Sequence, residues 1–422
     1  MIKQILNIIW NQRRSNGWIF TELLVVVAVL WVMMDSLLVD TYTYYSPMGF
    51  DIENVYKVNL GKMSPTTPGY VPDSLHATTD GEDLVRLAEN IRQVPEVEEV
   101  ALGAYVCPYT WNNSYSNLVP ADADTTLKSV NYHRYDMTVS YFDVFRMKTS
   151  SGEPLSKAVG NNSGKIVITA DMEDKFFEGR PATGQKVKWS ATSTNTMDIA
   201  AVSTPVRRTE YEKSQPSFFL LERTDQDIAE TANNTRAQNM DCLIRMKDGF
   251  RAEDMERFLQ DMSDRLTVNN IYVSSVTSLK DLRSEMLKSR QDNMKKKLAL
   301  VAFMLVNVFF GIIGTFWLRT QYRRGEMGLR TALGSSRSQL KRFLDVEGLC
   351  LLAFTIPFVL LFIANMLYFD LPDTVRLPFT WWRFTIAFGG AYLLMAVMIW
   401  IGIWFPAKRI AKMNPADALH YE

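Results

Sequence analysis

The amino-acid sequence predicts an α+β membrane protein with four transmembrane helices and a large extracytoplasmic α+β domain between helices 1 and 2. Four apolar runs are each long enough to cross the roughly 30 Å of hydrocarbon in a bilayer. A polar stretch, residues 40–297, separates the first run from the second, and a strand–helix–strand pattern occurs twice within it. The 422 residues carry no net charge and have a mean hydropathy of -0.08, values that conceal this division.

The N-terminal segment, residues 1–17, predicts an interfacial helix on the cytoplasmic side of the membrane. Isoleucines from Ile2 to Ile9 recur at the spacing of one helical face, and basic and polar residues occupy other positions. The first apolar run, residues 18–39, comes next. It exceeds the apolar part of a signal peptide and no small-residue cleavage site follows it, so we interpret it as an uncleaved transmembrane helix.

The polar stretch predicts two strand–helix–strand halves, the unit of a split α+β sheet. The first lies near residues 50–106 and the second near residues 241–276, with a helix over Ala252–Leu266. Between them, residues 107–237 are rich in Thr, Ser, Asn and aromatic residues with short strand-like runs. We interpret this middle part as a mostly β insert.

A long helix is predicted to connect the domain to the membrane. Residues 279–318 contain no proline, and their first glycine is Gly311. A helix of this length would measure about 60 Å, roughly twice the hydrocarbon thickness. Residues 298–318 would be the second transmembrane helix and residues 279–297 a stalk helix. Lys295–Lys297 stand on the outer side, against the positive-inside rule, but long translocated domains largely escape that rule.

The remaining apolar runs predict two more transmembrane helices. The third covers residues 348–369, and Pro357 should kink it. A short outer loop, residues 370–380, leads to the fourth at residues 384–405, whose ends carry the tryptophans of membrane interfaces. The basic tail, residues 406–422, is expected in the cytoplasm together with the N-terminus.

The connector between the second and third runs, residues 319–342, is strongly basic. Its only acid is Glu326. Lys and Arg resist translocation, so we place this connector in the cytoplasm. Its basic residues are Arg319, Arg323, Arg324, Arg330, Arg337, Lys341 and Arg342.

Helix start and stop signals occur at two places. Thr79 and Glu82 match a capping box at the start of the helix in the first half of the domain. In the connector, Gly334 can adopt the left-handed conformation that ends a helix, and Ser336 with Gln339 matches the capping box of a new one. The connector should therefore form a short helix, a sharp stop and a second helix.

Ten residues of the connector carry a distinctive order: Arg324, Glu326, Met327, Gly328, Leu329, Arg330, Ala332, Leu333, Gly334 and Ser335. This order resembles the cytoplasmic loop of MacB/FtsX-type (LolC/E-like) permeases of ABC transporters. Met327 and Leu329 stand where that family has isoleucine and keep the positions apolar. In the family this loop docks on a separate ATPase, so the resemblance implies an ATPase-coupling loop here.

Two further stretches carry the resemblance. Residues 141–155 and 168–187 are similar to the MacB-like periplasmic core domain, in which Gly179 would end a helix and Gly184 would help form the turn into the next strand. The tail resembles the C-terminal motif of the family through Pro406, Ala407, Pro415, Ala416 and Leu419.

The common catalytic and metal-site patterns are missing from the sequence. The nearest approach to a P-loop, Gly160–Ile166, has the wrong spacing, and the three histidines have no metal-ligand spacing. We therefore expect a non-catalytic chain with no metal and no cofactor of its own, ATP and Mg being bound by the partner ATPase. Cys107 and Cys242 both lie in the polar domain, where a disulfide is possible, but two cysteines do not define a framework and their pairing stays open.

The resemblance implies a permease subunit that couples ATP hydrolysis by a separate ATPase to motion of the periplasmic domain, for export or extraction of a substrate (mechanotransmission). Implied partners are the ABC ATPase, a second permease subunit of the same or a different kind, membrane lipid, and a periplasmic adaptor or outer-membrane component. The implied location is the bacterial inner membrane, and no nucleic-acid partner is expected. The alternative is an FtsX-like signalling subunit that regulates an envelope hydrolase. A membrane-tethered enzyme is disfavoured by the missing catalytic residues.

Overall fold

The computed structural model shows two compact units. Met1–Tyr45 and Arg290–Glu422 form the helical unit, and Ser46–Ser289 forms the sheet domain. The structure describes residues 9, 11, 13–124, 130–160, 164–221, 225–262, 265–322, 325, 329–330 and 334–410. Most of the predicted interfacial helix lies outside these residues, and its described part from Arg13 onward belongs to the first long helix.

The described strands all lie in the sheet domain, together with several short helices, and the longest helices lie partly or wholly in the helical unit. The α-helices are α1 (Arg13–Tyr45), α2 (Asp80–Arg92), α3 (Tyr141–Val144), α4 (Leu155–Val159), α5 (Ala170–Phe177), α6 (Asp225–Thr235), α7 (Met255–Asp261), α8 (Leu279–Tyr322), α9 (Arg337–Phe354), α10 (Ile356–Tyr368) and α11 (Trp381–Ile410). The strands are β1 (Val55–Lys62), β2 (Val97–Ala104), β3 (Ser114–Asn117), β4 (Val119–Pro120), β5 (Asn131–Met137), β6 (Ile166–Thr169), β7 (Lys186–Lys188), β8 (Thr196–Ser203), β9 (Ser217–Leu221), β10 (Asp241–Met246), β11 (Thr267–Val268) and β12 (Ile271–Ser278).

The four predicted spans are confirmed as helices. Among the described residues, four helical stretches are long and apolar enough to cross a membrane: Gly17–Tyr45, Leu279–Thr315, Ser338–Tyr368 and Trp381–Trp404. The third is interrupted at Thr355, the residue between α9 and α10, and Pro357 follows in the first turn of α10. Proline removes a helical hydrogen bond, so this break is the predicted kink.

The helices of the helical unit pack through residues spaced about one turn apart. On α11, Ala387, Ala391, Met395, Ile399 and Ile403 are buried at intervals of four residues, so they lie along one face. They belong to the same buried cluster as residues of α1, α8, α9 and α10. Small residues on this face allow close approach of the helices, because lipid supplies no hydrophobic drive for their association.

The described strands of the sheet domain form one sheet of twelve strands. Its order is β11-β12-β1-β10-β2-β5-β9-β6-β8-β7-β4, and β3 pairs with β5. The two predicted strand–helix–strand halves interleave, because β1 pairs antiparallel with both β10 and β12, and β10 pairs with β2. Among the described strands, only β5 with β9 and β6 with β8 are parallel pairs.

The predicted elements of the two halves differ from the observed ones in length and content. The helix predicted over Ala252–Leu266 is a 3-10 turn, Ala252–Asp254, followed by the short α7. The stretch predicted as a mostly β insert also contains α3, α4, α5 and α6. Alpha-helix α6 buries Ile228, Ala229 and Ala232 against the first half, and this packing gives a helix where composition alone indicated strand and loop.

Cys107 and Cys242, whose pairing the sequence left open, do not form a disulfide, because the two side chains lie on opposite faces of the sheet. Cys242 on β10 faces the cluster that includes Val58 and Leu102, whereas Cys107 belongs to the cluster that includes Leu243, the next residue of β10. Successive side chains of a strand point to opposite faces. Both cysteines are free and buried, and burial raises the pKa of the Cys242 thiol to about 12.

Candidate functional site

The predicted ATPase-coupling loop is described only in part. Arg324, Glu326, Met327, Gly328, Ala332 and Leu333 lie outside the described residues. Leu329 is helical and exposed, and the guanidinium carbon of Arg330 lies 4.3 Å from the centre of the Phe343 ring on α9. The cation–π contact holds Arg330 against α9, and the adjacent Leu329 is exposed.

The predicted stop and restart of the helix are both present. Gly334 has a φ of +94°, the left-handed conformation that ends a helix, and the amide of Ser335 donates to the carbonyl of Arg330 at 2.9 Å. The Ser336 hydroxyl accepts from the Gln339 amide at 3.3 Å, and the Gln339 side chain accepts from the Ser336 amide at 2.9 Å. This reciprocal capping box starts α9 at Arg337.

The predicted C-terminal motif is also divided. Pro406 and Ala407 lie within α11, which continues to Ile410, so the first part of the predicted tail extends the last helix. Pro415, Ala416 and Leu419 lie outside the described residues.

A cluster of charged residues at one end of the helical unit was not predicted. We call it the junction cluster: Asp35, Asp40, Lys297, Asp373, Arg376 and Arg383. Arg383 is fully buried and donates from Nε and Nη2 to the two carboxylate oxygens of Asp35, at 2.8 and 2.6 Å. Its Nη1 donates to the carbonyls of Asp373, at 2.9 Å, and Leu377.

The second half of the junction cluster joins the stalk to the first helix and to the connector before α11. Lys297 and Arg376 each donate to Asp40, both at 2.7 Å, and Arg376 also donates to Asp373 at 2.5 Å. Lys297 therefore has a specific ion partner within the helical unit. The sequence carried a signal for this pair, because Asp35 lies near the end of the first apolar run and Arg383, of opposite charge, immediately precedes the fourth.

The sheet domain holds the stalk with a second polar cluster. We call it the stalk clamp: Tyr109, Arg207, Glu210 and Arg283. The Oε1 atom of buried Glu210 accepts from the Tyr109 hydroxyl at 3.0 Å and from Nε of Arg283, a residue of α8, at 2.5 Å. Burial and the Glu210 carboxylate raise the pKa of Tyr109, which keeps its hydroxyl protonated as a donor.

Arg207 attaches the same loop to the segment that follows α1. It donates to the carbonyls of Ser46 at 2.6 Å, Glu212 at 2.8 Å and Glu210. The amide of Arg207 donates to the carbonyl of Met48 at 3.1 Å. The loop at residues 205–212 thus contacts the segment after α1, where the chain enters the sheet domain, and the start of α8, where the chain leaves it. No local sequence pattern indicated the contacts of this loop with Ser46, Tyr109 and Arg283, which are distant along the chain.

The junction cluster and the stalk clamp are both built from ion pairs between side chains of different elements. Among the described residues, no group of three or more His, Cys, Asp or Glu side chains could hold a metal ion. Both clusters instead join an end of α1 or the segment after it to the α8 helix, through charge-assisted hydrogen bonds. Such contacts are suited to holding helices in register.

Comparisons with known proteins match most of the chain. The model of the MacB-like periplasmic core domain matches residues 19–262, and that of the FtsX-like permease C-terminal region matches residues 298–415. No curated protein matches the chain.

Solved structures resemble the chain at low identity. A domain of a protein described as a permease, from Porphyromonas gingivalis, is 16% identical with a TM-score of 0.35, covering 54% of this chain and 92% of its own. The periplasmic region of MacB from Actinobacillus actinomycetemcomitans is 14% identical with a TM-score of 0.33, covering 58% of this chain and 95% of its own. The extracellular domain of the noncanonic ABC-type transporter YknZ from Gram-positive bacteria is 12% identical with a TM-score of 0.29, covering 52% and 100%.

Proposed function

Because the chain belongs to the family of ABC-transporter permeases of the MacB/FtsX type, with a MacB-like periplasmic core domain and an FtsX-like C-terminal region, we propose that it transmits motion. A separate ATPase would move the connector after α8, and α8 would carry that motion to the sheet domain, which would export or extract a substrate. The chain itself is a multi-pass membrane protein.

The continuity of α8 is the observation that supports this proposal. The helix has 44 residues without a break and would measure about 66 Å, twice the hydrocarbon thickness. Its residues 279–289 belong to the sheet domain and residues 290–322 to the helical unit. An unbroken helix transmits a displacement or rotation from one end to the other, which a flexible linker would absorb.

The proposed orientation follows from charge. The connector at residues 319–342 holds seven basic residues and would face the cytoplasm by the positive-inside rule. Both termini would then be cytoplasmic, and the sheet domain would be periplasmic in a bacterial inner membrane. Labelling of single cysteines introduced at Ser335 and at Lys213, with a membrane-impermeant reagent on intact spheroplasts, tests this. Modification at Lys213 alone is expected, and modification at Ser335 would contradict it.

The proposed ATPase contact is the segment from Arg324 to Ser335. The exposed side chain of Leu329 and the left-handed turn at Gly334 support this proposal. ATP and Mg would be bound by the ATPase, and this chain would supply no cofactor. A second permease subunit, membrane lipid and a periplasmic adaptor or outer-membrane component complete the proposed assembly.

A charge reversal in the connector tests the ATPase contact. We expect Glu326→Lys to leave the protein folded in the membrane but to abolish stimulation of the ATPase in the reconstituted complex. Glu253→Lys, an equal reversal on an exposed residue of the sheet domain, should leave stimulation unchanged. Normal stimulation in Glu326→Lys would contradict the proposed contact.

Assembly offers an independent measurement. The C-terminal motif is proposed to contribute to assembly, so a chain that ends before Lys408 should retain less ATPase in a pull-down from detergent-solubilised membranes. Full retention would limit the contact to the connector.

The FtsX-like match also favours a second function, a signalling subunit that regulates an envelope hydrolase. Such a subunit would use the same ATPase contact and the same continuous helix. Co-purification separates the two functions. An outer-membrane channel or adaptor bound to the complex favours export, whereas a cell-wall hydrolase favours signalling.

A further inference from the structure

We propose that a groove in the sheet domain binds a short segment of a partner protein in which apolar side chains lie between basic ones. The groove has a volume of about 660 Å³. This volume is within the range of sites that enclose small ligands. The inference goes beyond the proposed function, because none of the residues that line the groove belongs to the connector or to α8.

Two walls form the groove. One wall is α7 with the residues on either side of it, and the other is the turn after β10 with the residues just before β2. In that turn the amide of Phe250 donates to the carbonyl of Lys247 at 3.2 Å, and the amide of Lys247 donates to the carbonyl of Glu96 at 2.9 Å. The strands β10 and β2 are themselves paired, so the second wall is formed without a partner.

The floor of the groove is apolar. Val94, Phe258 and Met262 line it, although each is more than nine-tenths buried. Phe250 is half-buried, and its ring packs edge to face against that of Phe258, with 6.3 Å between the ring centres. An apolar side chain that entered the groove would be removed from water, which is the dominant favourable contribution in most protein associations.

The rim of the groove is charged, with four carboxylates and two bases. The Lys247 ammonium donates to the carbonyl of Pro95 at 2.5 Å, and Asp248 lies 3.7 Å from Arg146. The other three carboxylates have no ion pair with any described residue: Glu96, Asp254 and Asp261. The excess of negative charge is complementary to a basic segment and opposes an acidic one.

The carboxylates on the α7 wall lie on both sides of an aromatic ring. Asp254, Phe258 and Asp261 follow one another at intervals of four and three residues, so they share one helical face. Asp261 is the last residue of α7, where a negative charge opposes the helix dipole, so the stability of the helix does not account for it. A segment with a basic residue on each side of an apolar one matches this order of charges.

The first test measures binding of a fluorescent peptide to the full chain in nanodiscs of zwitterionic lipid. The peptide has blocked ends and the order lysine, leucine, phenylalanine, lysine. We expect it to bind, and to bind at least about threefold more weakly when glutamates replace its lysines or serines replace its apolar pair. Equal affinities of the three peptides, tighter binding of the glutamate peptide, or binding no stronger than to empty nanodiscs would overturn the proposal.

Variants of the chain test whether the rim carries the binding. Glu96→Gln combined with Asp261→Asn removes two exposed charges and should weaken binding of the lysine peptide at least about threefold. Arg257→Gln removes a positive charge from the same rim and should strengthen binding about twofold. The matched control is Asp174→Asn, an exposed carboxylate of α5 outside the groove, which should leave binding unchanged. Changes of the same sign in the double variant and in Arg257→Gln would contradict the proposed complementarity.

Cross-linking locates the bound peptide. A water-soluble carbodiimide joins a lysine of the peptide to a carboxylate that it touches, and mass spectrometry identifies that carboxylate. Attachment to Glu96, Asp254 or Asp261 is expected. Attachment exclusively to carboxylates outside the groove would refute the assignment and would leave the proposed ATPase contact and the role of α8 unaffected.

Discussion

Arg245 in the sheet domain and Arg383 in the helical unit are both almost completely buried, but their charges are held differently. Arg383 faces the buried carboxylate of Asp35 with two hydrogen bonds. Arg245 donates to the carbonyls of Val144 at 2.5 Å, Glu53 at 2.8 Å and Asp51 at 3.0 Å. Its carboxylate contact, Oδ2 of half-exposed Asp51, is longer at 3.4 Å.

The difference between Arg245 and Arg383 shows how the environment of a buried arginine decides which partners its charge needs. Carbonyl dipoles near water are sufficient for Arg245, whose neighbour Asp51 remains partly solvated. A charge within an apolar helical bundle has no solvent to share the cost, so it needs a full countercharge at close range. Arg383 consequently joins two helices of the helical unit through an ion pair, whereas Arg245 joins backbone segments of the sheet domain through their carbonyls.

The largest expected effect comes from breaking the buried pair of the helical unit. Arg383→Met leaves Asp35 buried without a countercharge and should lower the free energy of unfolding by about 3–5 kcal/mol. The measurement is unfolding of the full chain in detergent. Lys295→Met removes an exposed ion pair with Asp292 and should change stability by less than about 1 kcal/mol. If Arg383→Met and Lys295→Met lowered the free energy of unfolding equally, the buried ion pair would contribute no more to stability than the exposed one.

The sheet domain also buries a base in its neutral form. Burial, with the nearby charge of Arg208, lowers the pKa of His133 from 6.5 to about 4. Between these pH values the unfolded chain binds a proton that the folded chain does not, so the stability of the fold decreases as the pH falls. The difference in unfolding free energy should reach about 3 kcal/mol at pH 4.

Comparison with His133→Gln isolates this contribution. The variant should lose less stability than the native chain as the pH falls from 6.5 to 4, as measured by urea unfolding at each pH. Parallel pH profiles for the two chains would show that His133 takes up its proton in the folded state as readily as in the unfolded one.

The two units can also be compared at glycines where one helix packs closely against another. A side chain on Gly81 of α2 would lie 2.0 Å from the backbone oxygen of Ala229 on α6, whereas one on Gly402 of α11 would lie 2.7 Å from a side-chain methyl of Ile312. The Ile312 side chain can change its rotamer to make room for the added methyl group, whereas the Ala229 backbone is held within a helix and cannot move as easily. Gly81→Ala should therefore cost about 2–3 kcal/mol and Gly402→Ala about 1 kcal/mol in unfolding measurements. The reverse order would indicate that the sheet domain adapts more easily than the helical unit.

The smallest expected effect is the loss of a helix cap, which should destabilise the sheet domain and the helical unit by the same amount. Each contains a complete capping box, Thr79 with Glu82 and Ser336 with Gln339. Thr79→Ala and Ser336→Ala should each destabilise the protein by about 1 kcal/mol, since a cap is a local contact. Thermal unfolding of both variants measures this. A much larger cost for Ser336→Ala would show that the cap supports more than the first turn of α9.

Local patterns account for the parts of the structure that were predicted correctly. Both capping boxes, the left-handed Gly334, the unbroken helix from Leu279 and the break beside Pro357 depend on residues within a few positions of one another. Short helices of the sheet domain such as α6 were harder to predict, because they owe their existence to the surface on which they pack.

The sequence by itself determined the number of membrane-length helices, the place of the sheet domain between the first two, and the ends of several helices, because hydrophobic periodicity and capping act over one or two turns. Only the tertiary structure decided that Arg383 meets Asp35, 348 residues away, and that Glu210 meets Arg283. It also decided that Cys107 and Cys242 face opposite sides of the sheet. These outcomes depend on strand register and helix packing, in which a shift of one residue exchanges the faces and changes every partner.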